Sequence, residues 1–325
     1  MSIDDLDRKA EELPYQLQQL LDSNRLTKCL LEWPIFNRLY DEDFAIDLLQ
    51  AWQKCGGFSV AAEMYKESLS LLKQSGISDV EYSDQAQKVA MFLIQGGQYM
   101  EAYRVLEDCV SLNLDERGRL ADVYALMAQC RSVHLNTMMY SMIYEDNVKE
   151  REKVVDLCRK SNEYRKQLTG EEHEYKMAKN NNYLSFNLYH SDEDEEALVV
   201  INEAIAVFEK FNDIGMLARS IKRKYYLIPE VDKKAELMRS RELCLRAYGK
   251  NHELYGDICY NLGRLHEFYF EEHELAYNYL LESEQVYLKL YGANHPETMQ
   301  VRRVIESESF EDIRKQRERL IPCTA

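Results

Sequence analysis

The sequence is poor in chain breakers. It has 12 glycines and 5 prolines in 325 residues, well under the roughly 12% that these two residues make up in ordinary proteins. A β-sandwich or barrel needs turn residues every ~8–12 positions, and this chain cannot supply them. Neither G-x-G-x-x-G nor G-x-x-x-x-G-K-[ST] occurs, so there is no Gly-rich loop to cradle a nucleotide phosphate. The eight cysteines include no C-x-x-C pair, which removes zinc-ribbon and thioredoxin chemistry. No run of about 18 apolar residues offers a membrane span, and no early segment reads as a signal peptide. Pro322-Cys323-Thr324-Ala325 puts Cys in the wrong place for prenylation. A cytoplasmic protein with reduced cysteines in its core is the expectation.

Positive charge is also short. Lys and Arg number 41 against 57 Asp and Glu, a net charge of −16. Such a surface repels nucleic-acid phosphates and anionic membranes at long range. Neither G-x-S-x-G nor H-E-x-x-H is present. The histidines, His134, His173, His190, His252, His266, His273 and His295, are scattered rather than convergent. Acidic runs at Ser191–Glu196 and Glu271–Glu274 read as solvated turns between helices. The expectation is a protein that is not an enzyme and uses no cofactor or metal.

What the chain does have is helix-forming sequence with an internal repeat. With 30% charged and 46% apolar residues, it reads as helix-rich. One phrase recurs as Leu168-Thr169-Gly170-Glu171-Glu172-His173, Ala247-Tyr248-Gly249-Lys250-Asn251-His252 and Leu290-Tyr291-Gly292-Ala293-Asn294-His295-Pro296. Glycine there suits the left-handed residue that ends a helix, and His, once followed by Pro, opens the next. The first two glycines are 79 residues apart and the last two histidines 43 apart. The longer step is two units, with a degenerate junction at Phe211-Asn212-Asp213-Ile214-Gly215.

Between junctions the residues fit paired helices. The second helix of each pair carries small, large and small residues at i, i+4 and i+7: Ala61, Tyr65, Ser68; Ala102, Leu106, Cys109; Ala197, Ile201, Ala204; Ala276, Leu280, Ser283. These share one helical face. The small ones let a neighbouring helix approach, and the large one plugs the gap. This pattern resembles the tetratricopeptide repeat (TPR), and the longer unit with its Gly-x-x-His junction looks like the repeats of kinesin light chains. The resemblance spans about 42–305 and is clearest at 174–210 and 250–299. It implies an all-α fold, a right-handed superhelical array of antiparallel helix pairs (a TPR-like α-solenoid) with capping helices at both ends. The organisation is then 1–41 as N-terminal caps, 42–305 as about six repeats, and 306–325 as a C-terminal helix and tail. Two places depart from the pattern. In the unit at 214–248, Lys233, Leu237 and Ser240 stand where small, large and small belong, and Leu135–Lys149 reads as an insertion after a helix over 115–134.

The ends read as caps. Short amphipathic helices over Glu12–Tyr40 resemble the segment that joins the ATPase to the repeats in NACHT-type, nephrocystin-like proteins. No ATPase motif is present, and the chain opens with Met1. Pro296 to Leu320 reads as one helix with Met299, Val301, Val304, Ile305, Phe310 and Ile313 near one side, as the exposed end of an array requires.

A stacked array implies a binding surface. The first helix of each pair lines the concave side, so residues three or four from its core positions face the groove. These are Asn182, Phe186 and Tyr189, then Arg219, Arg223 and Tyr226, then Tyr260 and Arg264. Asn bonds a peptide backbone, Arg holds carboxylates bidentately, and Tyr gives a rigid amphipathic face. Packing between helices is the alternative for the aromatic residues, and a solvated helix face for Arg219, Lys222, Arg223 and Lys224. The Lys/Asn set with which chaperone-binding members hold a C-terminal carboxylate is not reproduced at 84–94, 178–190 and 255–268. The expected function is a scaffold or adaptor that binds a protein or peptide partner of acidic character, without nucleic acid or membrane insertion. Self-association through an end face is open. The alternative is the repeat arm of a NACHT/STAND-type signalling ATPase, acting through self-association or an upstream module.

Overall fold

The computed structural model describes residues 3–20, 22–42, 45–112, 114, 117–138 and 142–320. Among the described residues every regular element is helical. The chain opens with α1 (Ile3–Gln19), α2 (Ser23–Leu30) and α3 (Trp33–Leu39), followed by α4 (Ile46–Lys54) and α5 (Phe58–Gln74). Next come α6 (Asp79–Gln95) and α7 (Tyr99–Val110), α8 (Arg117–Met138) and α9 (Tyr144–Arg165), α10 (Glu171–Tyr189) and α11 (Asp194–Lys210). Then α12 (Ile214–Lys224) runs into a 3-10 turn (Tyr225–Leu227) before α13 (Glu230–Ala247). The last are α14 (Glu253–Phe268), α15 (His273–Tyr291), α16 (Pro296–Ile305), a second 3-10 turn (Glu308–Phe310) and α17 (Glu311–Leu320). The fold is all-α and TPR-like. It divides into two compact units, Met1–Tyr183 and Leu184–Ala325, with the division inside α10.

In the first unit, α1, α2 and α3 pack on one another and on α4. Tyr65, the large residue of its triplet, ties this end to the repeats. Its hydroxyl donates to the Leu30 carbonyl (3.0 Å) and accepts from Trp52 Nε1 (3.1 Å). Its ring sits 5.0 Å from Phe36 and 5.6 Å from Phe92, and all four aromatic side chains are fully buried. Six cysteines, Cys29, Cys109, Cys130, Cys158, Cys244 and Cys259, are buried free thiols in the two units, while Cys55 is half-buried. Cys323 lies outside the described residues.

The stretch read as an insertion is mostly helix. α8 continues to Met138 and α9 already begins at Tyr144, with 139–141 outside the described residues. The extension is anchored by Arg151, which is fully buried and donates to Asn136 Oδ1 (2.9 Å) and the Ser132 carbonyl (3.4 Å) of α8. A buried polar residue looks like a break in the apolar pattern, which is why the extension is hard to read from periodicity.

The small–large–small rule appears directly in the second unit. Ala197, Ile201 and Ala204, and likewise Ala276, Leu280 and Ser283, are fully buried. At Gly263 a Cβ would come within 2.8 Å of Leu280 Cγ and 3.1 Å of the Ala276 carbonyl oxygen, so α14 and α15 meet almost backbone to backbone. The irregular triplet keeps two of its three members in place. Leu237 and Ser240 are buried, with Ser240 Oγ donating to the Ala218 carbonyl at 2.7 Å. Lys233, at the small position, instead carries its ammonium over the rings of Tyr225 (5.5 Å) and Tyr269 (5.3 Å).

The junctions have a common mechanism. Gly249 (φ 76°) and Gly292 (φ 84°) take the left-handed conformation that glycine tolerates best. His252 and His295 are then N-caps: their Nδ1 atoms accept from the amides of Leu254 (3.1 Å) and Glu297 (3.3 Å). Each imidazole stacks on the tyrosine before the glycine, Tyr248 or Tyr291, with 4.0 Å between ring centres. The first junction differs. α10 begins at Glu171, so His173 lies within the helix and not before it; Thr169 stands where the other junctions have a stacking tyrosine. At the degenerate junction, Asn212 (φ 52°) replaces glycine and Asp213 caps by accepting from the Met216 amide at 2.8 Å.

The C-terminal stretch is not one helix. It breaks after Ile305 at Glu306-Ser307 and resumes as α17. The break lets Phe310 become fully buried 5.6 Å from Tyr277. Arg314 donates to the carbonyls of Ile305 and Ser307 that the break frees.

Gly263→Val should destabilise the protein by about 1–3 kcal/mol, the usual cost of overpacking a close contact. Chemical denaturation with circular dichroism measures it, and an unchanged midpoint would disprove the close crossing.

Candidate binding face on the first helices of the second unit

The spacing along α12 puts Arg219, Lys222 and Arg223 on one face, at i, i+3 and i+4, and Tyr226 follows in the 3-10 turn. On α14 the matching face holds Glu253, Asp257, Tyr260, Asn261 and Arg264, and on α16 it holds Glu297 and Gln300. Side chains bridge these helices directly. Arg219 Nη2 meets Glu253 Oε1 at 2.8 Å, and Lys222 Nζ meets Asp257 Oδ2 at 2.5 Å. The Tyr226 hydroxyl donates to Asn261 Oδ1 (2.8 Å), and Asn261 Nδ2 donates to Asp257 Oδ1 (3.0 Å). From the end of α15, the Tyr291 hydroxyl donates to Glu253 Oε2 at 3.1 Å. Gln300 Nε2 reaches the Tyr260 hydroxyl at 3.4 Å.

One end of the face is aromatic. The Phe186 ring lies 5.4 Å from Tyr226, and Tyr189 lies 5.7 Å from Tyr226 and 4.9 Å from His190. The Arg223 guanidinium covers Phe186 at 4.4 Å, an arrangement in which the ring's negative face attracts the cation. Phe186 is buried, while Tyr189, Arg223 and Tyr226 are half-exposed. At the far end of α14, Arg264 bonds Glu267 (2.9 Å) along its own helix and lies over the exposed Phe268 ring at 4.3 Å.

The sequence-derived set is thus drawn together only in part. Phe186, Tyr189, Arg223 and Tyr226 form one aromatic–cation cluster, and Arg219 joins it through the α12–α14 ladder. Tyr260 and Arg264 lie on the same face of α14 but serve other contacts. Asn182 belongs to the first unit and is buried, with its Nδ2 on the Ala178 carbonyl one turn back at 3.5 Å. The basic cluster is not an open positive patch, because Arg219 and Lys222 are each closed by a carboxylate. The residues that close them, Glu253 and Asp257, and the further groups Asn261, Glu297 and Gln300, were not singled out from the sequence. A signal was there: Glu253, Asp257 and Asn261 repeat every four residues, opposite in polarity to the Arg219–Tyr226 face of the preceding first helix.

Electrostatics sharpen the picture. Burial alone would raise the Glu253 carboxyl, but Arg219 and the Tyr291 hydroxyl outweigh it, so Glu253 is held below the usual carboxylate range. Burial lowers Lys222, with Asp257 opposing. Glu297 goes the other way: burial, then the charges of Asp257 and Glu253, push it up to about 7 despite Lys222 and Arg223. Among the described residues no group of three His, Cys, Asp or Glu side chains is placed to hold a metal ion, and no helix is long and apolar enough to cross a membrane.

Glu297 carries a pH prediction. Its folded pKa of about 7 exceeds the unfolded value of 4.5, so the folded state holds the extra proton between them. Stability from this group is therefore present below about pH 4.5 and lost as the pH rises through 7. Glu297→Gln should leave the melting temperature nearly unchanged at pH 4.5. At pH 8 it should stabilise by on the order of 2 kcal/mol, read by thermal melts across the range; a variant less stable than the parent at pH 8 refutes the assignment.

No family model matches the chain, and no curated protein matches it in sequence. Among solved structures it is similar to the Rap conjugation gene regulator of the plasmid pLS20 in complex with the Phr* peptide, with a TM-score of 0.48 and 15% identity over 92% of this chain and 74% of that one. It is also similar to Bacillus thuringiensis PlcR in complex with the peptide PapR7 and DNA, with a TM-score of 0.47 and 15% identity over 93% of this chain and 99% of that one. Both likenesses are too distant to bear on the binding face.

Proposed function

We propose that this chain is a non-enzymatic interaction scaffold whose second unit binds a peptide segment of a partner protein along the first helices α12, α14 and α16. The observation that carries the reading is the set of cross-helix bonds, Arg219–Glu253, Lys222–Asp257 and Tyr226–Asn261, lying beside the aromatic cluster of Phe186, Tyr189 and Tyr226.

Binding costs the entropy of the side chains it freezes, about 0.5–1.5 kcal/mol for each flexible one. Here the long side chains are already fixed to one another, so much of that cost is met when the protein folds. Half-exposed Tyr189, Tyr226 and Tyr260 offer stiff surfaces with a hydroxyl at the tip. Half-exposed Gln300 can bond a peptide backbone as donor and acceptor. Aromatic and Arg side chains are the types that dominate binding energy at protein interfaces.

Affinity capture from native cells tests this, comparing the parent with a Tyr189→Ala/Arg223→Ala variant. Neither change uncouples the Arg219–Glu253 or Lys222–Asp257 bridge, so the variant should keep its helical content and much of its melting temperature. A partner recovered with the parent should fall at least about tenfold, as expected for truncated hot-spot residues. A folded variant that captures the same partner at the same level would overturn the proposal.

A further inference from the structure

The binding face carries three cations, Arg219, Lys222 and Arg223, and three carboxylates, Glu253, Asp257 and Glu297. They are not used evenly. Glu253 is closed by Arg219 and the Tyr291 hydroxyl. Asp257 is closed by Lys222 and the Asn261 amide. The Arg223 guanidinium lies flat on Phe186. Glu297 is the carboxylate left over: among the described residues its side chain has no hydrogen bond and no ion pair. It is half-buried, and Glu253 and Asp257 are the charges that oppose it most strongly. A carboxylate in that position is destabilising unless something compensates it. Lys222 and Arg223 offset its charge only in part, so Glu297 is the carboxylate of this face without a direct partner, where the Arg-rich sequence of α12 suggests an open positive patch.

Resting on the binding reading above, we infer that the face selects a partner segment carrying a Lys or Arg side chain, whose cation docks on Glu297 beside Asp257. The complementarity is one of charge and chemistry. An ammonium or guanidinium would meet an open carboxylate flanked by a second one, while the two closed ion pairs on either side stay intact. A basic side chain suits this better than a metal ion, because no group of three ligating side chains is assembled among the described residues. An acidic partner residue would have to break Arg219 or Lys222 away from its carboxylate and would face Glu297 at the same time. The elevated carboxyl of Glu297 adds a readout. A docked cation favours its ionised form, so binding releases a proton and should tighten from pH 6 to pH 8. The other charged groups around it are Glu253 and Asp257 on α14, Lys222 and Arg223 on α12, and His295 at the start of its own helix. The Glu297→Gln variant is the reference that isolates the Glu297 contribution.

The test is an array of N-acetylated random heptapeptides, which removes the amino terminus as a source of positive charge. It is probed with the purified full chain, with Glu297→Gln, and with Glu203→Gln, an exposed position on α11. Peptides that bind the parent should be enriched in Lys and Arg over Asp and Glu. Replacing the basic residue of a selected peptide by norleucine should weaken binding about tenfold, within the range for hydrogen bonds to charged groups. Glu297→Gln should lose the same factor and show no further loss with the norleucine peptide, while Glu203→Gln binds like the parent. Binders without basic preference, or binding insensitive to Glu297→Gln, would overturn this inference and leave the binding reading standing. An array with no binders for a folded parent would overturn both.

Discussion

Everything in this fold depends on how closely one helix can approach the next. Where α14 crosses α15, Gly263 leaves no room for a Cβ between the helices, and Ala276 presents its bare backbone from the other side. A side chain there would push the two helices apart. It would also separate the face of α14 from its neighbours, because hydrogen bonds fail beyond a few tenths of an ångström of excess distance. The ladder Arg219–Glu253, Lys222–Asp257, Tyr226–Asn261 therefore exists because the residues behind it are small. Packing on one side of a helix sets the polar geometry on the other.

The junctions are the second fixed point, and they act at the same residues. His252 caps the helix that begins with Glu253, and His295 accepts from the amide of Glu297 itself. Both caps need an imidazole nitrogen with a free lone pair, which only the neutral ring supplies. The Tyr291 ring that stacks on His295 sends its hydroxyl to Glu253. A continuous set of contacts thus runs from the His295 cap through Tyr291 and Glu253 to Arg219, linking a structural turn of one repeat to the binding face of the one before.

The architecture was legible because it rests on size and spacing. Ala276, Leu280 and Ser283 announce a helix crossing through their volumes alone, and Gly249 and Gly292 announce a left-handed turn. The structural reading failed where polar residues do the packing. Arg151, buried among Asn147, Asn136 and the Ser132 carbonyl, looks like a surface residue in sequence and hid two turns of helix. Glu306-Ser307 resembles any solvated helix face, and only the demand of Phe310 for burial against Tyr277 makes it a break. For the binding face, side-chain direction was readable for Arg219, Arg223 and Tyr226, but their pairing was not. Whether an arginine is open or closed depends on a carboxylate more than thirty residues away, and no local pattern reports that distance.

This pairing changes what a strongly acidic chain can do with a short basic helix. In a protein with a net charge of −16, Arg219 and Lys222 are surrounded by more acid than they can balance. Within about a Debye length of the surface, about 8 Å at physiological salt, the excess acid repels other acidic chains. At contact the outcome is decided by which group lacks a direct partner: Glu253 and Asp257 have taken Arg219 and Lys222, and Arg223 lies on the Phe186 ring. The surplus then falls on Glu297, the one carboxylate of the face that arrives from the next repeat after the pairs have closed. Long-range field and short-range vacancy thus agree in sign. A basic segment is drawn toward the chain as a whole and finds its opposite charge open on the one face whose other groups are already held in place.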